Sequence, residues 1–276
     1  MDRAALARLE HENLIATLAL AGSNADRAMI RRADGVALIA TGLPLRLFNQ
    51  VLVEGDEATA VAIAAAVDVT RERGDRFVVN LQVGPDDRFV ALMGQLGLVP
   101  LSDGPWMPGM ALYPLSAQAP GSAEGPRATR LGHEIRQVTD GAGVEDHIRT
   151  AAAGFEMPEE ILRQVMSMAL VGRRGVAVYV GYTDGQPLTT GLGVRTGRTI
   201  GVYNIATIPS ARKRGYGAAM TTRIAEDGAT DGCDVAVLQA SEMGYPIYER
   251  LGYRTVVEYM GYVDPPSVEP SESPGA

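Results

Sequence analysis

Between residues 175 and 208 the chain reads as three strands joined by two tight turns. "GVAVYVGY" (175–182) and "PLTTGLGVR" (187–195) are rich in β-branched and aromatic residues, and Thr183-Asp184-Gly185-Gln186 between them is a hairpin signal. "TIGVYNIATI" (199–208) follows the Thr196-Gly197-Arg198 turn. Downstream the pattern predicts a helix over 214–230, a strand "DVAVLQA" (234–240), a short helix over 243–250 and a strand "YRTVVEYMGYV" (253–263). Upstream, "HEIRQVT" (133–139) reads as a strand, and 143–153 and 158–171 read as helices. The second is entered through Met157-Pro158, with Glu159 and Glu160 in its first turn. The order β-α-α-β-β-β-α-β-α-β predicts an α/β domain built on a mixed sheet.

The first half repeats the end of this pattern. "LRLFNQVLV" (45–53) sits where "IGVYNIATI" sits later, a helix over 56–74 follows, and "RFVVNLQVG" (76–84) stands against "CDVAVLQAS" (233–241). Both halves place Leu-Gln at a strand end, followed by a short helix closing in Leu-Gly. The chain therefore reads as two copies of one fold, over 1–115 and 129–264. "SAQAPGSAEGPRA" (116–128) is a linker by composition and "PPSVEPSESPGA" (265–276) a disordered tail.

Composition narrows the partners. Apolar residues make up 46%, enough for a packed core, and the net charge is −8, with acidic excess in both halves. Neither a nucleic acid nor an anionic membrane surface suits that charge as the main partner. Cys233 is the only cysteine, and His11, His133 and His147 are scattered, so no disulfide and no metal-type spacing exists. "MDRAALARLEHEN" lacks the apolar core of a signal peptide, and "ATAVAIAAAV" (58–67) is too short to span a bilayer. The expectation is a cytoplasmic protein acting on a small molecule or peptide, for which a homodimer is an open assembly.

Against that acidic background, "IPSARKRGYGAAM" (208–220) carries Arg212, Lys213 and Arg214, then Gly215 and Gly217; Lys213 is the only lysine in the chain. A strand that ends in a glycine turn and opens a helix is an anion site, because the first N–H groups of a helix lack internal partners and the helix dipole adds positive charge there. Glycines allow unusual φ and close approach. The spacing is neither a Walker loop nor a Rossmann fingerprint. By itself the stretch specifies a phosphate-bearing ligand, or else a solvated helix start behind an ordinary turn.

Arg212-Lys213-Arg214-Gly215-Tyr216-Gly217 resembles the Gln/Arg-x-x-Gly-x-Gly/Ala signature of the GNAT superfamily of acyl-CoA N-acyltransferases. Thr207-Ile208-Pro209 is similar to the strand end before that loop, and "LQASEMGYPIYERLGY" (238–253) to the second conserved region. The resemblance covers about 133–263 and implies two GNAT-like domains, the first degenerate, each a mixed sheet flanked by helices. It implies an acetyl-CoA-dependent N-acetyltransferase acting by direct transfer on a primary amine, with acetyl-CoA as co-substrate and no metal. Backbone N–H groups from Arg214 to Ala218, helped by Arg212 and Lys213, would hold the pyrophosphate. Ala206, Thr207 and Ile208 would pair with the pantetheine arm through their main chain. Ser241 would bond near the thiol, and Tyr248 would protonate the departing thiolate. Asn204 stands in a region where family members often carry a glutamate. It cannot usefully take a proton, but would position a water or the amine.

No base is legible. His133, His147, Glu156 and Glu242 are bases by type only, and the histidines fall outside the motif positions, where a surface or structural role is expected. Cys233 reads as a small core residue. In the first half "VEGDEATAVA" (53–62) replaces the cradle with Glu54, Asp56 and Glu57, and Met93 stands opposite Tyr248. That half is expected not to bind acyl-CoA, but to shape the acceptor pocket or hold the halves together; Trp106 reads as a core anchor or a cleft wall. The competing functions are a CoA or acyl-CoA sensor without turnover and a different phosphate-ligand module.

Overall fold

The computed structural model describes residues 1–115 and 132–265. The expected linker at 116–128 lies outside them, as does the expected tail apart from Pro265. The chain opens on a helix that the sequence pattern did not predict, α1 (Arg3–Gly22), capped by Asp2 Oδ1 accepting from the Ala5 N–H at 2.8 Å. The first half continues with β1 (Met29–Ala33), β2 (Val36–Ala40), β3 (Asn49–Val53), α2 (Ala60–Glu72), β4 (Val78–Gln82), α3 (Val90–Gln95), β5 (Val99–Pro100) and β6 (Met107–Leu112). The second half runs β7 (Glu134–Gln137), α4 (Gly141–Phe155), α5 (Glu159–Val165), β8 (Val176–Thr183), β9 (Gln186–Thr196), β10 (Thr199–Thr207), α6 (Tyr216–Thr230), β11 (Val235–Gln239), α7 (Tyr245–Arg250) and β12 (Arg254–Val263). This is the order predicted for the second half. The β8–β9 turn puts Asp184 and Gly185 at φ 51° and 75°, the two left-handed residues that a hairpin turn of this kind requires. The helix expected over 158–171 stops at Val165.

The internal repeat is visible in the pairing. β3 runs parallel to β4 over Gln50↔Val78 to Leu52↔Asn80, and β10 runs parallel to β11 over Thr199↔Val235 to Gly201↔Val237. Each parallel pair is preceded by antiparallel strands, β1–β2–β3 and β8–β9–β10.

The two halves, 1–115 and 129–264, share their strands. All strands among the described residues belong to one twelve-stranded sheet, in the order β1-β2-β3-β4-β12-β6-β11-β10-β9-β8-β7, with β5 beside β12. The last strand of each half has crossed over. β6 pairs with β11 of the second half, and β12 with β4 and β5 of the first. The two exchanged strands then pair with each other and join the halves. Sequence pattern cannot reveal this, because an antiparallel strand of the right alternation satisfies either neighbour.

Helix α1 covers the seam. Leu14 and Ile15 pack on Ala37 and Ile39 of β2, Met107 and Ala111 of β6, Val235 and Val237 of β11, and Val257 and Tyr259 of β12. Helix α6 and the core around Met220 and Ile224 lie against Met110 and Leu112, the alternate residues of β6, and so cover the other face. Helices α4 and α5 pack with Val178, Val180, Leu192 and Val194, beside the tip of α1 at Leu20 and Ala21.

Candidate active site

The parallel pairing of β10 with β11 ends at Gly201↔Val237, although β10 continues to Thr207 and β11 to Gln239. Two causes are local. The β9–β10 register shifts between Tyr203 and Ala206, with Asn204 at φ 53°, which turns β10 aside. β11 meanwhile stays with β6 through Leu238↔Met110 and Gln239↔Gly109. The strands part in a wedge flanked by residues 204–208 and 240–241. Of the three residues expected to offer main chain there, Ala206 and Ile208 spend groups on β9: the Ala206 carbonyl accepts from the Thr189 hydroxyl (2.6 Å), and the Ile208 N–H donates to the Leu188 carbonyl (3.1 Å). Backbone groups alternate along a strand, so Thr207 is the one that faces the wedge; its carbonyl accepts from Arg212 Nε at 3.4 Å, and its N–H bonds to no described residue.

β10 leads into α6 through a single 3-10 turn, Pro209–Ala211, then through Lys213 at φ 64° and Gly215 at φ 90°. Gly215 is the N-cap and supplies no side-chain cap. The N–H groups of Gly215, Tyr216, Gly217 and Ala218 find no acceptor among the described residues; Ala219 is the first to close a turn, onto the Gly215 carbonyl at 3.0 Å. A Cβ at Gly217 would meet only Ile205 and Thr207, at 3.6 and 3.7 Å, so the surrounding protein leaves room for one. Tyr216 is buried against the His133 ring, centroids 4.4 Å apart, which anchors the helix start.

The three basic residues divide. Arg212 is turned away from the helix start: it donates to the Gly154 carbonyl (2.8 Å) and pairs with Glu156 (3.1 Å), tying the loop to the end of α4. In the free chain its side chain acts as a tether. Lys213 and Arg214 are exposed and make no ion pair with a described residue.

A cavity of about 500 Å³ opens at the wedge. Its walls are Leu14 and Leu18 of α1, Ile39, Leu47, Phe48 and Trp106 of the first half, Phe155, Leu162 and Val165 around α4 and α5, and Asn204, Ser241 and Tyr248 at the parted strands. The Tyr248 hydroxyl makes no hydrogen bond with a described residue, and burial pushes its pKa up to about 12, so it carries its proton at neutral pH. Gly244 lets the ring lie where it does, since a Cβ there would come within 2.8 Å of it. Ser241 Oγ accepts from the Gly244 N–H at 3.2 Å and shapes the turn into α7.

Residues 180–256 match the family described as the acetyltransferase (GNAT) domain. The chain has the GNAT fold. A GCN5-related N-acetyltransferase from Kribbella flavida is 16% identical, covers 92% of this chain over 95% of its own and superposes with a TM-score of 0.67. A tandem GNAT protein from the clavulanic acid biosynthesis pathway is 14% identical, over 93% of this chain and 96% of its own, with a TM-score of 0.58. A GCN5-related N-acetyltransferase from Sphaerobacter thermophilus is 15% identical, over 83% and 80%, at 0.56. A search of curated proteins found no match. At these identities the neighbours establish the fold, which supports acyl transfer in general.

Within this GNAT fold the bases that residue type suggested sort themselves. His147 is not on the surface: it is fully buried, and burial pushes its pKa down to about 4. Its Nδ1 faces the Tyr179 carbonyl (3.1 Å), an obligate acceptor, so Nδ1 carries the hydrogen and Nε2 is bare. Asn204 Nδ2, 2.7 Å from Nε2, must then donate to it. The imidazole has no lone pair left for substrate, and Asn204 is held with Oδ1 as its free acceptor. His133 bonds to Thr183 (3.1 Å) and packs on Tyr216. Glu156 is committed to Arg212. Glu242 lines the cavity mouth and is exposed. Cys233 is buried in the α6 core, as its sequence context suggested.

The first half lacks this apparatus. The N-terminus of α2 is closed by Thr59, whose hydroxyl accepts from the Ala62 N–H (3.1 Å), and Met93 is a fully buried core residue. Trp106 does both things weighed for it: it lines the cavity, and its indole N–H donates to Asn80 at 2.9 Å.

Sequence reasoning missed a buried polar network at the seam. Gln239 Nε2 donates to Glu10 Oε1 at 2.5 Å, and Glu10 Oε2 lies 2.7 Å from the Tyr259 hydroxyl, itself 2.9 Å from His11 Nδ1. His11 Nε2 faces the Val53 carbonyl at 2.6 Å and so carries the ring hydrogen. Its bare Nδ1 needs a donor, and Tyr259 has one hydrogen. A protonated Glu10 completes the count, in keeping with burial that raises its pKa to about 7. A charged helix such as α1, read one residue at a time, gives no sign that Glu10 and His11 face inward.

Proposed function

We propose that the chain transfers an acetyl group from acetyl-CoA to a primary amine. The observation that carries this is the alignment of three features on one half: the parted β10 and β11, the unbonded N–H groups at the start of α6 just beyond, and the free Tyr248 hydroxyl beside the wedge. The first offers main chain to an extended pantetheine arm. The second suits a pyrophosphate. The third supplies a proton. The amine nitrogen, once neutral, attacks the thioester carbonyl carbon; the C–N bond forms and the C–S bond breaks. Tyr248 gives its proton to the leaving thiolate, and the proton shed by the new amide nitrogen returns through solvent, so charge and atoms balance. Asn204 Oδ1 accepts from the attacking N–H and orients it. Exposed Lys213 and Arg214 add long-range attraction for the phosphates.

Release of free thiol from acetyl-CoA in the presence of a panel of amines tests the reading. One observation favours a second reading, a CoA sensor: both nitrogens of His147 are engaged, which leaves no side-chain base beside Asn204. Thermal stabilisation by CoA without thiol release from any amine would select it. A chain that CoA does not stabilise would exclude both.

A further inference from the structure

Most polar groups in the cavity wall are already bonded within the protein. In the wall from the first half, Gln50 donates to the Leu47 carbonyl (2.7 Å) and accepts from Asn80 (2.8 Å). Thr41 donates to Asn49 and accepts from the Leu43 N–H, both at 3.1 Å. Deeper in, Tyr203 donates to Asn13 (2.6 Å) and Gln239 to Glu10 (2.5 Å). Such groups offer little to a polar guest, which would lose its bonds to water without replacement. Capacity remains in Asn204 Oδ1, the Tyr248 and Ser241 hydroxyls and the Glu242 carboxylate, which all stand on the second half where the strands part, and in the buried Thr17 hydroxyl of α1, which bonds to no described residue. Glu242 is the only charged residue among the described residues of the lining.

We propose that the acceptor is a primary amine carried on a bulky apolar body. The nitrogen sits at the parted strands, and the body lies against α1 and the wall supplied by the first half. This deepens the transferase reading and depends on it. The cavity, about 500 Å³, falls in the range of about 300–1,000 Å³ that encloses a drug-sized ligand. An acetyl group would fill a small part of it. A polyamine or a basic peptide would carry several charges into a space with one carboxylate at its mouth. Leu47 and Phe48 then select the acceptor, and the half without a cradle gains a role in recognition, because it reads the substrate that the other half acylates.

The proposal is tested with a series of n-alkylamines from butyl to octyl, with spermidine as the polar counterpart. Each is assayed with acetyl-CoA by thiol release and, separately, by calorimetry without CoA. We expect kcat/KM and affinity to rise about 3–4-fold per methylene, with spermidine at least about 100-fold below octylamine. Leu47 is 45% exposed, so Leu47→Ala should fold; it should lower kcat/KM for octylamine about 10-fold through KM and leave butylamine within about 2-fold. Turnover with a flat series, or with spermidine ahead, overturns the proposal. So does a chain-length slope that appears across acetyl- to octanoyl-CoA and not across the amines, because the cavity would then house the acyl chain. Absence of thiol release, with amine binding that still climbs per methylene, supports the cavity assignment while refuting the transferase.

Discussion

Replacing Gly215 by valine separates backbone from charge in the proposed phosphate cradle. Gly215 holds φ 90° at the N-cap of α6, a left-handed conformation that costs an L-residue about 1–2 kcal/mol, more for a β-branched one. Either the fold absorbs that strain, or the turn relaxes and re-aims the four N–H groups that have no other acceptor. Each hydrogen bond to a charged group is worth about 1.5–3 kcal/mol, so losing one or two weakens CoA by about 10- to 10⁴-fold. Arg214→Glu reverses an exposed charge. Exposed pairs are worth about 0–1 kcal/mol, so the reversal should cost about 10-fold or less, and less again at high salt. Calorimetric titration with CoA at about 0.15 and 0.5 M salt, with denaturant unfolding as a control on folding, measures both. If Arg214→Glu costs as much as Gly215→Val at the higher salt, the backbone account is wrong. Gly217→Ala is the internal control: the space around Gly217 admits a Cβ, so affinity should stay within about 2-fold.

Tyr248→Phe should leave CoA affinity intact and lower kcat about 10²- to 10⁴-fold, measured by thiol release with the best amine; an unchanged rate removes Tyr248 from the chemistry. Gly109→Ala should destabilise the chain by at least about 2 kcal/mol in denaturant unfolding, because the new Cβ collides with the Glu10 carboxyl and Val257 and breaks the seam network; a change under about 0.5 kcal/mol would mean that α1 shifts freely. Stability should fall on acidification. Buried His11 and His147, with pKa pushed down to about 4, refuse protons that the unfolded chain takes below about 6.5, so their contribution is lost as pH drops through that window. Glu10, raised to about 7, acts oppositely: its contribution is lost as pH rises from about 4.3 towards 7. For these three groups the balance is a loss of about 1.4 kcal/mol per unit between about pH 6.5 and 6, below which Asp86, raised by burial to about 6, offsets it; Glu10→Gln should roughly double the loss in that upper window, and an unchanged slope in that variant would show that Glu10 is ionised in the folded chain.

The second half was largely legible because its signals are local. Period-two runs, the Asp184-Gly185 turn and Gly215 before an amphipathic helix each fix a few residues with chemistry that needs no distant partner. The same locality explains what stayed hidden. Arg212 sits inside the motif, but its partners, Gly154 and Glu156, come from the end of another helix, and only tertiary packing brings them within 2.8–3.1 Å. His147 lies 57 residues from Asn204, which it orients. Helix α1 was missed because residues that face the seam, Glu10, His11 and Asn13, are polar, so the burial of one face does not appear as an apolar stripe. The cavity could not be read at all: its walls come from both halves and meet only after the strands have crossed.

That crossing also governs the order in which the chain can be made. A strand from residues 254–263 completes the sheet begun at residues 78–82, while residues 107–112 wait for a partner at 235–239. Domains usually fold as they leave the ribosome, N-terminal part first. Here the first half emerges with the free edge of β4 and must hold it open until residues 254–263 have been made. An N-terminal fragment ending at the linker would expose that edge for good, and a C-terminal fragment would lack the strand that shields β11. Two such fragments synthesised together should rescue one another, each closing the gap that the other leaves.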